Sequence, residues 1–155
     1  MKKFISILIC LVMVAALPAQ SQEKMSVNDF FKKYSGTPGT ESSMLGSEAI
    51  RTLLERPGLT GKTKKLLKNL DRIWAISASS DNREFVSDVQ LTVASRKDYR
   101  LTRFLDRDGR TIAIYLSGKR PSSLVMITEA EGRTSFLEIR GEFSLLDVES
   151  LTGVK

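Results

Sequence analysis

The chain has 155 residues, 24 lysines and arginines against 18 aspartates and glutamates, and no histidine, for a formal net charge of +6. Lacking imidazole, it has neither the commonest neutral-pH general base nor the commonest transition-metal ligand, which excludes serine–histidine triads, cysteine–histidine dyads and zinc sites. Its single cysteine, Cys10, falls in the first apolar run, so beyond that run no disulfide or thiolate is available and a packed core must hold the fold.

The first residues read MKKFISILICLVMVAALPAQSQ. Lys2 and Lys3 precede an apolar run from Phe4 to Leu17, followed by Pro18 and by small side chains at Ala19 and Ser21. That is the pattern of a secretory signal, and the run of 14 residues is shorter than the ~20 that span a bilayer as a helix. A signal peptide is expected over 1–21, with cleavage before Gln22. Cys10 sits too early for acylation, with Ile9 where a small residue is needed. What remains, 22–155, is 134 residues, one domain's worth and enough to bury a core. No transmembrane helix is expected after processing, and the location is periplasmic or secreted.

Further along, SVNDFFKKYSG gathers Phe30, Phe31 and Tyr34 near one face of a short helix. GTPGTESS, 36–43, reads as loop from its glycine, proline and serine content. SEAIRTLLERPG has Ile50, Leu53 and Leu54 at helical spacing, Ser47 as the expected N-cap, and Pro57-Gly58 as its stop. GKTKKLLKNLD turns Leu66, Leu67 and Leu70 inward. RIWAISA, 72–78, reads as a strand; after it, SDNREFVSDVQLTVASRKD is a helix with Phe85, Val89 and Val93 every four residues and Asp81 with Glu84 as an expected capping box.

Four strand-like runs follow: Tyr99–Leu105, Thr111–Leu116, Ser123–Thr128 and Thr134–Gly141, separated by turns at Asp108-Gly109, Arg120-Pro121 and Glu131-Gly132-Arg133. Short turns between sequential strands imply an antiparallel meander. Ile112, Ile114, Leu116, Leu137 and Ile139 are the expected inward positions, and Leu124–Ile127 is apolar on both faces. A last helix is expected from Ser144, capped by Asp147 and burying Leu145, Val148 and Leu151. The sum is an α+β domain: two layers, a mostly antiparallel sheet of about five strands ending in the meander, and helices on one face.

Three stretches invite chemistry. Asp106-Arg107-Asp108-Gly109 fails as a calcium loop, because Arg110 stands where an oxygen ligand is needed and the glycine comes two positions early. Asp-Gly between alternating strands is a hairpin signal, since such a turn needs positive φ. RPGLTGKT, 56–63, has Arg56 in place of the first glycine of a phosphate loop, and Thr60-Gly61 is read as a helix start. Ser47 in GSEA has neither histidine nor a paired lysine to activate it. Trp74 and Tyr115 read as core.

The charge pattern is the positive signal. Between Arg51 and Arg72 stand seven basic residues against Glu55 and Asp71. Lys62, Lys64, Lys65, Lys68 and Arg72 are the candidate binding residues, the lysines on a helix whose leucines face inward and Arg72 just beyond it, and such a field favours anionic partners: lipid headgroups, acidic glycans or an acidic protein surface. Nucleic acid is not expected, because the lysine stretch has no aromatic for base stacking. No cofactor, metal or catalytic residue is expected.

The set DFFKKYSG, EAIRTLL, LDRIWAIS, DRDGRTIAIYL and LEIRGEFSLLDVESL, behind a signal peptide, resembles the domain of unknown function 4252, a family of small exported bacterial proteins, many of them lipoproteins. The resemblance spans nearly all of the chain beyond its signal. It implies an envelope location and carries over no functional residue; this chain departs from the family in lacking a well-placed acylation cysteine. The leading expectation is an exported, non-enzymatic envelope protein that binds another envelope component, an anionic one through the basic helix. Alternatives are a small apolar-ligand carrier with a cavity beside Trp74 and Phe104, and a hydrolase using carboxylates such as Glu138 and Glu142.

Overall fold

The computed structural model of the protein describes residues 24–117, 123–144 and 146–147. In chain order its elements are α1 (Val27–Tyr34), β1 (Thr40–Leu45), α2 (Ser47–Leu54), α3 (Gly61–Lys68), β2 (Leu70–Ser79), α4 (Arg83–Ala94), β3 (Tyr99–Arg107), β4 (Arg110–Ser117), β5 (Ser123–Ala130) and β6 (Arg133–Gly141). The six strands form one antiparallel sheet in the order β1-β2-β6-β5-β4-β3. The α+β class and the C-terminal meander are those expected from the sequence.

The hairpins show why the meander forms. Asp108 and Gly109 have φ of 55° and 71°, Glu131 and Gly132 of 52° and 72°, so both two-residue turns take positive φ throughout. That backbone twist matches the right-handed twist of the flanking strands. The stretch Asp106–Gly109 is therefore a turn. The expected turn at Arg120-Pro121 and the expected signal peptide lie outside the described residues.

One strand was not expected. Thr40–Leu45 lies within and just past the stretch read as loop, and pairs along its length with β2, from Thr40 opposite Ala78 to Leu45 opposite Ile73. Its middle four residues are exposed on both faces, so no alternation marks it. Tertiary pairing with β2, not local pattern, makes it a strand.

Helices cover both faces rather than one. On the first face, Phe30, Phe31 and Tyr34 of α1 and Phe85 and Val89 of α4 pack on Ile76, Ala78, Ala113, Tyr115, Val125 and Phe136. On the second, Ile50 of α2 and Leu66 of α3 pack on Ile114, Leu116, Leu124 and Ile139. Neighbours such as Ile114 and Tyr115 point to opposite sides of the sheet, and both are buried. The expected inward set (Ile112, Ile114, Leu116, Leu137 and Ile139) is the second face alone; Tyr115, Val125 and Phe136 make the other.

The first face is built around aromatic rings. Phe30 lies 5.0 Å from Phe136 and from Tyr34 and 5.4 Å from Phe85, centroid to centroid. A helix of eight residues is marginal alone, and this burial, ~1.5–3 kcal/mol per side chain, is what holds α1. Polar contacts add to it: Lys33 Nζ lies 2.7 Å from both Glu84 and Asp88, and the Tyr34 hydroxyl donates to Asp88 at 2.6 Å.

Burial and then the Asp88 hydrogen bond push the Tyr34 phenol up to about 12. Its unfolded value is about 10, so folding favours the neutral phenol, and that contribution is complete below pH ~10 and lost as pH rises toward 12. Burial shifts Tyr99 and Tyr115 in the same direction. Urea unfolding at pH 9 and pH 11.5 is thus expected to show lower stability at the higher pH, and a smaller loss in Tyr34→Phe. An equal loss in the variant would show that Tyr34 does not contribute to the decline.

Two helix starts, those of α2 and α4, differ from the sequence reading by one residue. Asn82, not Asp81, caps α4, accepting from Phe85 N–H at 3.1 Å, while Glu84 reaches across to Lys33. Gly46, not Ser47, is the N-cap of α2, and the Ser47 hydroxyl donates to the Asp71 carbonyl at 3.2 Å. Thr60 caps α3 as expected, accepting from Thr63 N–H. The Ser144–Asp147 box is present, with the Asp147 carboxylate accepting from Ser144 N–H and Oγ, which lowers its pKa. Leu145, Val148 and Leu151 lie outside the described residues.

Candidate functional site

Two groups of residues stand out: the basic surface of α3 and a buried ion pair at one end of the first face. In α3, Leu66 is buried and Leu67 half-buried, which sets one side of the helix against the sheet. Lys62, Lys64, Lys65 and Lys68 occupy the rest of its circumference, all exposed. Arg51 on the adjacent α2 and Arg56 in the turn after it are exposed as well. No ion pair joins any of these six to an acid among the described residues; Lys65 acts on Asp147 only as a nearby charge.

The arrangement has effects of both signs: Lys65 and Lys68 lie in the last turn, where cations suit the negative end of the helix dipole, while the spacing and the first turn work the other way. Lys64 and Lys68 are four residues apart, and Lys62–Lys65 and Lys65–Lys68 three apart, so like charges share neighbouring positions at ~0.2–0.5 kcal/mol per pair. The first turn of α3 has no acid, and Lys62 there opposes the positive end of the helix dipole.

Arg72 does not join the lysines. It lies on β2 with its side chain on the opposite face of the sheet, 20% exposed, and its Nη2 donates to Glu138 Oε2 at 2.8 Å. Its guanidinium centre lies 3.6 Å from the Trp74 ring centroid, and Trp74 stacks on Phe31 at 4.5 Å. Glu138 is fully buried. Arg140 approaches its second oxygen at 3.4 Å, close enough for an ion pair, yet that oxygen and Arg72 Nε make no hydrogen bond. Beside them the Tyr99 hydroxyl and Ser123 Oγ share a buried hydrogen bond of 2.7 Å.

Reading Leu137 and Ile139 as inward places Glu138 outward by alternation. Because both faces are covered, Glu138 shares the first face with Phe136, directly opposite Trp74. A carboxylate two positions from a buried phenylalanine, with arginine two further on, is the sequence signal for this pair. Glu142 is exposed beyond the end of β6 and does not converge with Glu138. Trp74 and Phe104 lie on β2 and β3, with three strands between them; the middle of the first face is filled by Phe30, Phe85 and Phe136, all fully buried, and a cleft of about 340 Å³ opens beside Trp74 at the β1 edge.

Among the described residues no three histidine, cysteine or carboxylate side chains come together to hold a metal, and no helix is long and apolar enough to cross a membrane. No protein-family model, curated protein or solved structure matches this chain.

Proposed function

We propose that the protein is an exported, non-enzymatic binding protein of the cell envelope whose α2–α3 surface docks an anionic component. The observation that carries this reading is the charge gathered on α3: four exposed lysines with no ion pair to an acid among the described residues, three of their pairs spaced three or four residues apart, and Lys62 opposing the helix dipole. So concentrated a positive surface favours an anionic partner. The non-enzymatic part rests on Glu138, the buried carboxylate among the described residues, which Arg72 and Arg140 neutralise.

The test uses phosphatidylglycerol vesicles and, in parallel, an immobilised polyanionic glycan, with phosphatidylcholine vesicles as control. The protein is expected to bind one of the anionic surfaces and to release it as salt shortens the Debye length from ~10 Å at 0.1 M to ~3 Å at 1 M. Joint replacement of Lys62, Lys64, Lys65 and Lys68 by glutamate should abolish binding. Binding that survives the replacement, or absence of binding to both surfaces at low salt, would overturn the reading. The same argument predicts that Lys62→Glu alone stabilises the fold by ~0.3–1 kcal/mol in urea unfolding.

A further inference from the structure

We infer that the edge of β1, which no other strand among the described residues pairs, is a second binding site, which takes an extended polypeptide as a seventh strand. The sheet has two edges, β1 and β3, and they are treated differently. β3 carries Arg100, Arg103, Asp106 and Arg107 and has a bulge between Leu101 and Arg103, the devices that keep an edge from pairing. β1 has neither bulge nor lysine nor proline; its one charge, Glu41, is paired with Arg133 at 3.4 Å.

The register identifies which backbone groups are free. Ser80 N–H donates to the Gly132 carbonyl at 2.8 Å, so even-numbered residues of β2 direct their N–H and C=O toward β6 and odd-numbered ones toward β1. Glu41, Ser43 and Leu45, opposite Ser77, Ala75 and Ile73, therefore spend their backbone groups on β2. Thr40, Ser42 and Met44 turn theirs outward. The Thr40 N–H is taken by the Thr37 carbonyl. Ser42 and Met44 keep two donors and two acceptors in alternation along an exposed edge, the pattern an added strand completes.

A recess flanks this edge on each face. On the first face a cleft of about 340 Å³ is lined by Phe31, Met44 and Trp74, with Lys32 as its charged member. On the second a depression of about 330 Å³ is lined by small side chains, Ser43, Ala75, Ser77 and Ser135 among them. Met44 is 61% exposed, and Lys32 has no ion pair among the described residues. A strand added to β1 alternates its side chains between these two recesses. Its partner is accordingly an extended segment with apolar residues at every second position, small or polar ones between, and an acid to meet Lys32. A second copy of the chain fits less well: paired through its own β1 it would bring Met44 and Glu41 to opposite faces, leaving Lys32 unmatched. This site is separate from the α3 surface and stands without it.

Selection of phage-displayed linear dodecapeptides on the purified full-length protein tests the assignment. Enriched peptides should alternate apolar residues and carry an acid, and Lys32→Glu should remove the preference for that acid. An N-methyl scan of the best peptide should abolish binding at positions of one parity and spare the other, which reads strand pairing with the protein unaltered. Ser42→Pro removes an outward N–H and leaves the bonds to β2, so it should weaken binding about tenfold with an unchanged thermal midpoint. No enrichment, an N-methyl scan without alternation, or equal binding to Ser42→Pro of unchanged thermal midpoint would overturn the inference. So would sedimentation showing a dimer that Ser42→Pro dissociates, since that gives the edge to a second copy.

Discussion

Arg72→Ala is expected to destabilise the protein by ~3–5 kcal/mol, the cost of leaving a buried carboxylate without its principal partner. Glu138 is fully buried and its Oε2 accepts from Arg72 at 2.8 Å, whereas Arg140 reaches only the other oxygen, at 3.4 Å, from a side chain 42% exposed. The substitution also removes the guanidinium from the Trp74 ring, worth ~0.5–2 kcal/mol. The double variant Arg72→Met, Glu138→Leu separates the two effects. It takes the stranded charge away with its partner, and buried pairs replaced by apolar residues of similar size are often neutral or better. Its stability should return to within ~1 kcal/mol of the starting protein. Urea unfolding should be followed by far-ultraviolet circular dichroism, because the substitution alters the surroundings of Trp74 itself. A single variant that loses under ~1 kcal/mol would show that Arg72 is not what neutralises Glu138.

Gly141→Ala is expected to cost ~3 kcal/mol, because a methyl group has no room there. A Cβ at this position would collide with the Asn69 carbonyl oxygen and lie 2.7 Å from Leu70 Cα. Both are backbone atoms and cannot rotate aside. The contact matters because Gly141 faces Leu70 in the β2–β6 ladder, and the same Asn69 carbonyl accepts from Glu142 N–H at 2.8 Å. Displacing it loosens the end of α3, the start of β2 and the approach of Phe143, which is buried against the second face. Gly61→Ala is the control. It lies in the first turn of α3 with nothing within 4 Å of its added Cβ, and it should raise stability by ~0.5–1 kcal/mol. Equal effects at the two positions would contradict the close approach.

The parts of the fold readable from sequence are those fixed by neighbours in the chain. Strands β3 to β6 follow from apolar runs broken by Asp108-Gly109 and Glu131-Gly132, and α3 from Thr60 and the leucine spacing. β1 was hidden because its partner among the described residues, β2, lies some thirty residues on and its middle four residues are exposed on both faces. The second helical layer was hidden because alternation identifies one buried face and says nothing of the other when both are covered. Glu138 illustrates the consequence: its side of the strand looked like solvent and is core. The lysines of α3 were legible for the reason Arg72 was not. On a short helix the leucines fix the outward side, whereas on β2 only the register with β1 and β6 decides where Arg72 points.

The strand order also sets when the protein can become a folded body. β2 meets β6 through residues 54 to 71 positions apart along the chain, whereas β3 through β6 can zip together by successive hairpins. Everything N-terminal to Ser79 therefore lacks a finished core until Gly141 has been made, and closing so large a loop is slow. A nascent chain of this design therefore has no complete sheet until β6 has left the ribosome, and its N-terminal helices wait on a strand made last among the six described.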